Sequence, residues 1–260
     1  MVKTPKDIKE KVELAFKVAM LKKLHKPRIP VETVEKEERW ARPELAKLYE
    51  DTAKRIETVV KNILPFIEKI IEAYKVNFPK KIVLMSSFEY LGEVEPALEP
   101  ISEESEDSYG LYSAVSQTIY LNMWELFRFR NIAQHILTEL VNWGKIKQEE
   151  VEEATKCVTE LRVIKTFVHE ALHHIYDIKC PPIKNWLVEE WIIEDFESLY
   201  SPAVLYAYVD CNDSRFKKYL WYGLLVEEGQ RISHKELEGY LMVARDVLER
   251  IFVGDVEDIC

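Results

Sequence analysis

The spacing of apolar positions along the chain predicts a mainly helical protein. Pro65 falls inside one helical segment, where it should kink or split the helix. Ser201-Pro202 should end another segment, and Ser233 with Glu236 forms the pattern of a capping box at the start of the last. Apolar residues recur with helical periodicity over residues 6–24, 31–40, 43–74, 124–143, 148–178, 183–200, 214–226 and 233–252.

Two stretches break the helical pattern and predict a small sheet. Residues 81–85 form an apolar run typical of a strand, and residues 109–121 are typical of a hairpin. Between them, residues 92–107 carry two prolines and seven acids, which predicts a solvated loop or, alternatively, a lid that favours basic peptides. We therefore expect a mainly helical α+β fold in which a small antiparallel or mixed sheet packs on the helix 148–178.

The order of these elements divides the chain into three parts. Residues 1–76 form a helical cap or N-terminal subdomain, because they contain no cluster of catalytic residue types. Residues 77–202 combine the sheet with the central helices and are expected to form the functional core. Residues 203–260 form a helical C-terminal segment packed on that core.

Composition excludes several classes of protein. The formal net charge of -10 argues against an extended nucleic-acid surface, and no apolar run reaches the roughly 20 residues of a membrane span. The N-terminus lacks the apolar segment of a signal peptide, so we expect a soluble cytoplasmic protein. The four cysteines are widely spaced without a CxxC pair, which suggests neither a disulfide framework nor a cysteine zinc site. Few Asn and Gln beside many charged residues give a thermophile-like balance.

The chemistry of the chain concentrates in the pentapeptide His169-Glu170-Ala171-Leu172-His173, an HExxH pattern late in the helix 148–178. Positions i and i+4 of a helix share one face, so both imidazoles can reach a single ion. A catalytic Zn²⁺ needs neutral imidazole ligands and an open position for water, and a neighbouring carboxylate can take the proton of that water. His169 and His173 are therefore candidate ligands of one zinc ion, and Glu170 is the candidate general base.

A third ligand is expected on the next helical segment, which contains several acids. Glu189 lies on a stripe with Trp186 and Ile193, where a carboxylate is costly unless it is paired or bound to metal. Glu189 is the first choice on this ground, with Glu190 and Glu194 as alternatives. One turn after His173, Asp177 could accept a hydrogen bond from a ligand imidazole or could simply be an exposed acid at a helix end.

The pentapeptide HEALH, followed by a proline-broken turn and a helix beginning WLVEE, resembles the gluzincin branch of the zincin metallopeptidases. In that family the third zinc ligand is a glutamate on the next helix, often within a WLxEG motif. Trp186, Leu187 and Glu189 match this motif, whereas Glu190 replaces its small residue. The resemblance spans roughly residues 80–202. It implies a zincin-like core with residues 118–122 as an edge strand that pairs with a peptide substrate.

The resemblance also implies roles for individual residues: His169 and His173 as ligands, Glu170 as general base and Glu189 as third ligand. A Tyr or His usually stabilises the oxyanion in the family, and His234 is one candidate. The expected function is zinc-dependent hydrolysis of a peptide or protein. The alternative is a zincin-fold, metal-binding module without significant proteolysis that acts in binding or regulation. The sequence leaves the oligomeric state open.

Overall fold

A computed structural model describes residues 5–34, 42–96, 107–182, 185–229 and 232–260. Within these ranges no helix has both the length and the apolar character needed to cross a membrane. The strands are β1 (Val31–Val34), β2 (Lys81–Met85), β3 (Gly110–Ser113) and β4 (Thr118–Asn122). The helices are α1 (Pro5–Leu24), α2 (Pro43–Tyr74), α3 (Leu91–Val94), α4 (Met123–Asn142), α5 (Val151–Lys179), α6 (Trp186–Tyr208), α7 (Asp213–Glu228) and α8 (His234–Val253), with short 3₁₀ turns at Phe88–Tyr90 and Gln148–Glu150.

The four described strands form one mixed sheet in the order β1-β2-β4-β3. β1, β2 and β4 are parallel to their neighbours, and β3 is antiparallel to β4. Alternate side chains of β2 and β4 enter two different apolar clusters, because successive residues of a strand point to opposite faces. Ile82 and Leu84 join the main core with the long helices, whereas Val83 and Tyr120 pack in a smaller cluster. The mainly helical α+β prediction is confirmed.

Helix α5 holds the structure together, because it contacts α2, α4, α6, α7 and the strands β3 and β4. Its buried residues begin at Val151 and continue to Tyr176, on more than one face of the helix. The main core includes residues from all three parts of the chain, from Leu14 in α1 to Ile259 near the C-terminus. The HExxH segment thus lies on the most enclosed helix of the fold.

Three local predictions differ from the structure. Residues 31–34 form β1 and not a helix, because they pair with β2 along its free edge; residues 35–41 lie outside the described residues. Pro202 does not end α6, which continues to Tyr208; α2 runs unbroken through Pro65, so of the kink or split predicted there the split does not occur. Both prolines are buried, and α6 buries Ser201 to Ala207 around Pro202. Tertiary burial on both sides of each proline therefore outweighs the lost backbone hydrogen bond.

The remaining predicted elements lie close to their expected positions. The hairpin is present as β3 and β4, and the Ser233–Glu236 capping box forms with both hydrogen bonds. Of the acidic stretch 92–107, residues 97–106 lie outside the described residues, so the loop or lid prediction is not decided.

A disulfide joins Cys180 to Cys260, 80 residues apart. It fixes the C-terminal residue to the end of α5, where Lys179 also pairs with Asp258 at 3.0 Å. Cys157 and Cys211 are free and buried. The wide spacing of the cysteines gave no sign of this bond, because pairing depends on where the folded chain returns its C-terminus.

Candidate metal centre

The two histidines of the HExxH segment lie one turn apart on α5 and turn the same ring atom toward each other. Their ring centroids are 4.8 Å apart, and the Nε2 atoms of His169 and His173 are separated by 3.1 Å. Both side chains are less than one-fifth exposed, at 17% and 18%. The i, i+4 spacing of the sequence therefore produces the convergent pair that it predicted.

Helix α6 adds a carboxylate to this pair. Glu190 Oε1 lies 3.1 Å from His169 Nε2, and Glu190 Oε2 lies 3.3 Å from His173 Nε2. Among the described residues, His169, His173 and Glu190 form a group whose ligand atoms all lie within 4.8 Å of one another. Asn185 caps α6, because its side chain accepts a hydrogen bond from the Leu187 N–H. This cap places the first turn of α6, and with it Glu190, beside α5.

The three donors fit a small divalent cation. Zinc bonds of about 2.0–2.2 Å in tetrahedral geometry separate neighbouring ligand atoms by about 3.3–3.6 Å. The two Nε2 atoms are 3.1 Å apart, and each lies 3.1 or 3.3 Å from a different oxygen of Glu190, so these separations are slightly shorter than the expected ones. Imidazole nitrogen with one carboxylate oxygen is a donor set that suits zinc and several other transition metals.

The opposite nitrogen of each imidazole contacts a second carboxylate. His173 Nδ1 lies 3.0 Å from Glu189 Oε1, and His169 Nδ1 lies 3.3 Å from Glu197 Oε2. Metal-binding histidines usually donate this second N–H to a carboxylate or carbonyl, which fixes the ring and the tautomer. Each ring is therefore held between an inner and an outer glutamate in the way a ligand histidine requires.

The structure thus places Glu189, the first choice for third ligand, on the outer side of His173 and brings Glu190 to the inner side. The stripe of residues that favoured Glu189 is only partly buried. Ile193 is fully buried, but Trp186 is 69% exposed. Glu194 is exposed and lies outside the cluster. Glu197, which was not among the candidates, has its carboxylate at His169. Glu197 follows Glu190 by two helical turns, and this spacing was the sequence signal that both carboxylates lie on one face of α6.

The carboxylates control the charge of both imidazoles. Burial alone would lower the pKa of each histidine, but hydrogen bonds to Glu190 and Glu197 raise the pKa of His169 to about 10. Bonds to Glu189 and Glu190 likewise raise the pKa of His173 to about 9. In return, the two imidazoles hold the pKa of Glu190 well below its usual range. The cluster therefore stabilises positive charge at its centre, whether a proton or a metal ion.

Glu170 lies beside this cluster but points between α5 and the sheet. It is 6% exposed and packs against Gly110 of β3. Burial raises the pKa of Glu170, whereas the charges of His173 and His169 and the backbone N–H of Tyr112 lower it. A Cβ atom at Gly110 would lie 2.7 Å from both Glu170 Oε1 and Thr166 Cγ2. Glycine is therefore needed here, and a glycine inside a predicted strand was a sequence signal of close approach.

The strand beside Glu170 is β3 and not β4. β4 is paired on both sides, with β2 and with β3, so the expectation that residues 118–122 form the edge strand is wrong. Hydrophobic alternation identifies strands but not their order in the sheet. The Asn122 N–H donates to the Tyr109 carbonyl at 2.9 Å, so the backbone groups of Gly110 and Tyr112 point away from β4, toward α5.

The Tyr112 side chain connects the edge strand to the HExxH helix. Its hydroxyl donates to Asp177 Oδ2 at 3.0 Å and lies 3.1 Å from His174 Nδ1. His174 is fully buried, and its Nε2 lies 2.7 Å from the Asn77 carbonyl. Asp177 thus contacts Tyr112, while the Nδ1 atoms of the candidate ligands contact Glu189 and Glu197. His174 thus connects α5 to β3 and to the chain at Asn77.

His234, the candidate for oxyanion stabilisation, begins α8. Its side chain is 80% exposed and pairs with Glu238 at 3.4 Å. Its described contact is therefore within its own helix and not with the cluster on α5 and α6.

Comparisons of the chain with protein-family models, with curated proteins and with solved structures give no match. The function of the site must accordingly be inferred from its own geometry.

Substitution of the glutamates of α6 tests which of them binds metal. Glu190→Ala should weaken zinc binding more than about 100-fold, because it removes the inner carboxylate. Glu189→Ala should weaken it about 10- to 100-fold, since it removes an outer partner of His173. Glu194→Ala, an exposed acid of the same helix, is the control and should leave affinity unchanged. Competition with a chromophoric chelator measures each affinity, and a larger loss in Glu189→Ala than in Glu190→Ala would contradict the assignment.

Gly110→Ala tests the close approach of β3 to Glu170. The added methyl group must displace Glu170 or Thr166, which should lower the free energy of unfolding by about 1–3 kcal/mol. Gly239→Ala in α8 is the matched control, because a Cβ atom added there would have no neighbour within 4 Å. This change should leave stability unchanged or raise it slightly. Equal urea midpoints for the two variants would show that β3 does not press on Glu170.

Proposed function

We propose that the protein is a zinc-dependent peptide hydrolase. The observation that carries the proposal is the convergence of His169 Nε2, His173 Nε2 and the Glu190 carboxylate at mutual distances of 3.1 to 3.3 Å. A buried glutamate next to the histidines and a free strand edge beside that glutamate support it. The resemblance of HEALH and WLVEE to gluzincin motifs agrees with the proposal, with Glu190 in place of Glu189 as third ligand.

His169, His173 and Glu190 would hold the zinc ion through two imidazole nitrogens and one carboxylate. When bound, zinc supplies Lewis acidity to a substrate carbonyl and to a coordinated water. Glu189 and Glu197 hold the imidazole rings in the required orientation through their Nδ1 atoms.

Glu170 is the proposed general base. It takes a proton from the attacking water and delivers it to the leaving amine, which requires a pKa closer to neutrality than that of an exposed glutamate. Burial raises its pKa in this direction. The close approach of Gly110 places β3 directly against this carboxylate.

The proposed substrate is a peptide or protein segment in extended conformation. β3 has no further partner strand among the described residues, so an added strand could pair with it once it displaces Ser108, whose hydroxyl donates to the Gly110 carbonyl. The net charge of -10 favours a protein substrate over a nucleic acid.

A binding module without proteolysis is the second candidate. The burial of Glu170 favours it, because a general base must reach water during the reaction. In this case the metal would stabilise the contact between α5 and α6 and would present no open position.

A cytoplasmic location stays a prediction. The Cys180–Cys260 disulfide favours an oxidising compartment or the interior of a hyperthermophile, where such bonds persist. The thermophile-like composition agrees with the second of these.

Glu170→Gln separates the two candidate functions. As a hydrolase, the variant should keep one equivalent of zinc and lose about 10²- to 10⁴-fold in cleavage of quenched fluorescent peptides, because it can no longer accept a proton. Glu194→Gln, the same change on an exposed position of α6, should cleave like the wild type. Unchanged cleavage in Glu170→Gln would remove Glu170 as the base. A zinc-loaded wild type that cleaves none of a peptide library would favour the binding module.

A further inference from the structure

A second polar site lies between α2 and the first turns of α5. It is an open groove with a volume of about 550 Å³, and Arg130 of α4 forms part of its wall. Thr159, the lining residue nearest in sequence to the HExxH segment, precedes His169 by ten residues, which is about 15 Å along the helix. The groove is therefore separate from the candidate metal centre.

The floor of the groove is polar although it lies between two long helices. Thr52, Thr155 and Thr159 are at most 6% exposed, and each donates its hydroxyl to a carbonyl one turn earlier in its own helix. Close packing of α2 on α5 would ordinarily use apolar side chains at such positions. The interface between α2 and α5 is therefore polar at this recess.

Two arginines line this recess: Arg55 forms an ion pair with a buried glutamate, and Arg130 forms none among the described residues. Arg130 donates to the neutral side-chain oxygens of Asn131 and Gln134. The nearest carboxylate contact described for Arg55 is Glu160, at 3.5 Å. Arg55 and Arg130 line the same groove. Burial and the repulsion of Arg55 lower the pKa of Arg130, and the charge of Glu152 acts in the opposite direction. A carboxylate between them would relieve this repulsion through charge-assisted hydrogen bonds.

Glu160 itself is already occupied from the other side. It is 3% exposed, and the hydroxyls of Tyr208 and Tyr219 donate to its Oε2 at 3.1 and 2.5 Å. The tyrosines bind Oε2, so the other oxygen, Oε1, is the one that pairs with the Arg55 guanidinium, which is 41% exposed and lines the groove.

The groove also carries acids, and these fall into two groups. Glu149 and Glu153 pair with Lys147 and Lys218. Asp51 and Glu152 take part in no ion pair among the described residues, and both are exposed on the wall. Lys156, an exposed cation, lines the groove as well as Arg55 and Arg130, so cationic and anionic side chains occur together with neither charge in clear excess.

We propose that this groove binds a small zwitterion, namely a free amino acid or a short peptide with free termini. The carboxylate would lie between Arg55 and Arg130, whose planar guanidinium groups match its two oxygens. The ammonium group would face Asp51 and Glu152. The volume lies in the range of small-molecule sites, and the mixed charge disfavours phosphate as well as simple cations.

Calorimetric titration of the full-length protein with triglycine at constant ionic strength tests the proposal. Triglycine should bind, and N-acetyl-triglycine and triglycine amide should each bind at least about tenfold more weakly, because each lacks one charge-assisted contact. Arg130→Gln and Glu152→Gln should each cause a similar loss. Lys54→Gln, an exposed charge of α2 outside the groove, is the control and should bind triglycine like the wild type.

His169→Ala distinguishes this groove from the metal centre, and its binding of triglycine should equal that of the wild type. Loss of binding in His169→Ala with retention in Arg130→Gln would place the peptide at the metal centre and overturn the proposal. Binding of either blocked peptide as tightly as triglycine, or no heat of binding at about 10 mM triglycine, would also overturn it.

Discussion

The packing of α6 against α5 depends on carboxylates that surround two imidazoles. Glu190 lies between the Nε2 atoms of His169 and His173, while Glu189 and Glu197 contact their Nδ1 atoms. Three carboxylates in a partly buried site repel one another unless positive charge lies among them. A cation at the centre would therefore serve the fold as well as the chemistry, because it would hold α6 to α5. The same carboxylates raise the pKa values of both histidines, because they stabilise the positively charged form of each imidazole.

Glu170, the proposed general base, has a different set of neighbours, which come from the sheet. Gly110 allows β3 to approach α5, so that the Glu170 carboxylate lies against the strand. The Tyr112 hydroxyl then ties the strand to the same helix through Asp177 and His174. The ligands and the base thus share α5 but are held by separate neighbours, α6 for the former and β3 for the latter. A change in one set should leave the other in place.

Local periodicity was sufficient to predict the helix that carries HExxH and the hairpin beside it, because both depend on residues close in sequence. It could not choose between Glu189 and Glu190. Adjacent helical residues differ by about 100° in direction, so the choice depends on how α6 rotates about its axis. That rotation is set by burial of Ile193 and exposure of Trp186, which are properties of the assembled fold. The edge position of β3 and the short strand β1 escaped prediction for the same reason, since each depends on a partner strand elsewhere in the chain.

We propose that one metal ion binds between α5 and α6, with Glu190 as its third protein ligand. Anomalous diffraction at the zinc edge, from crystals grown with zinc, tests it most directly. The expected result is a single strong peak about 2.0–2.2 Å from His169 Nε2, His173 Nε2 and a Glu190 oxygen. Absence of a peak there, or a peak bound through Glu189, would contradict the account.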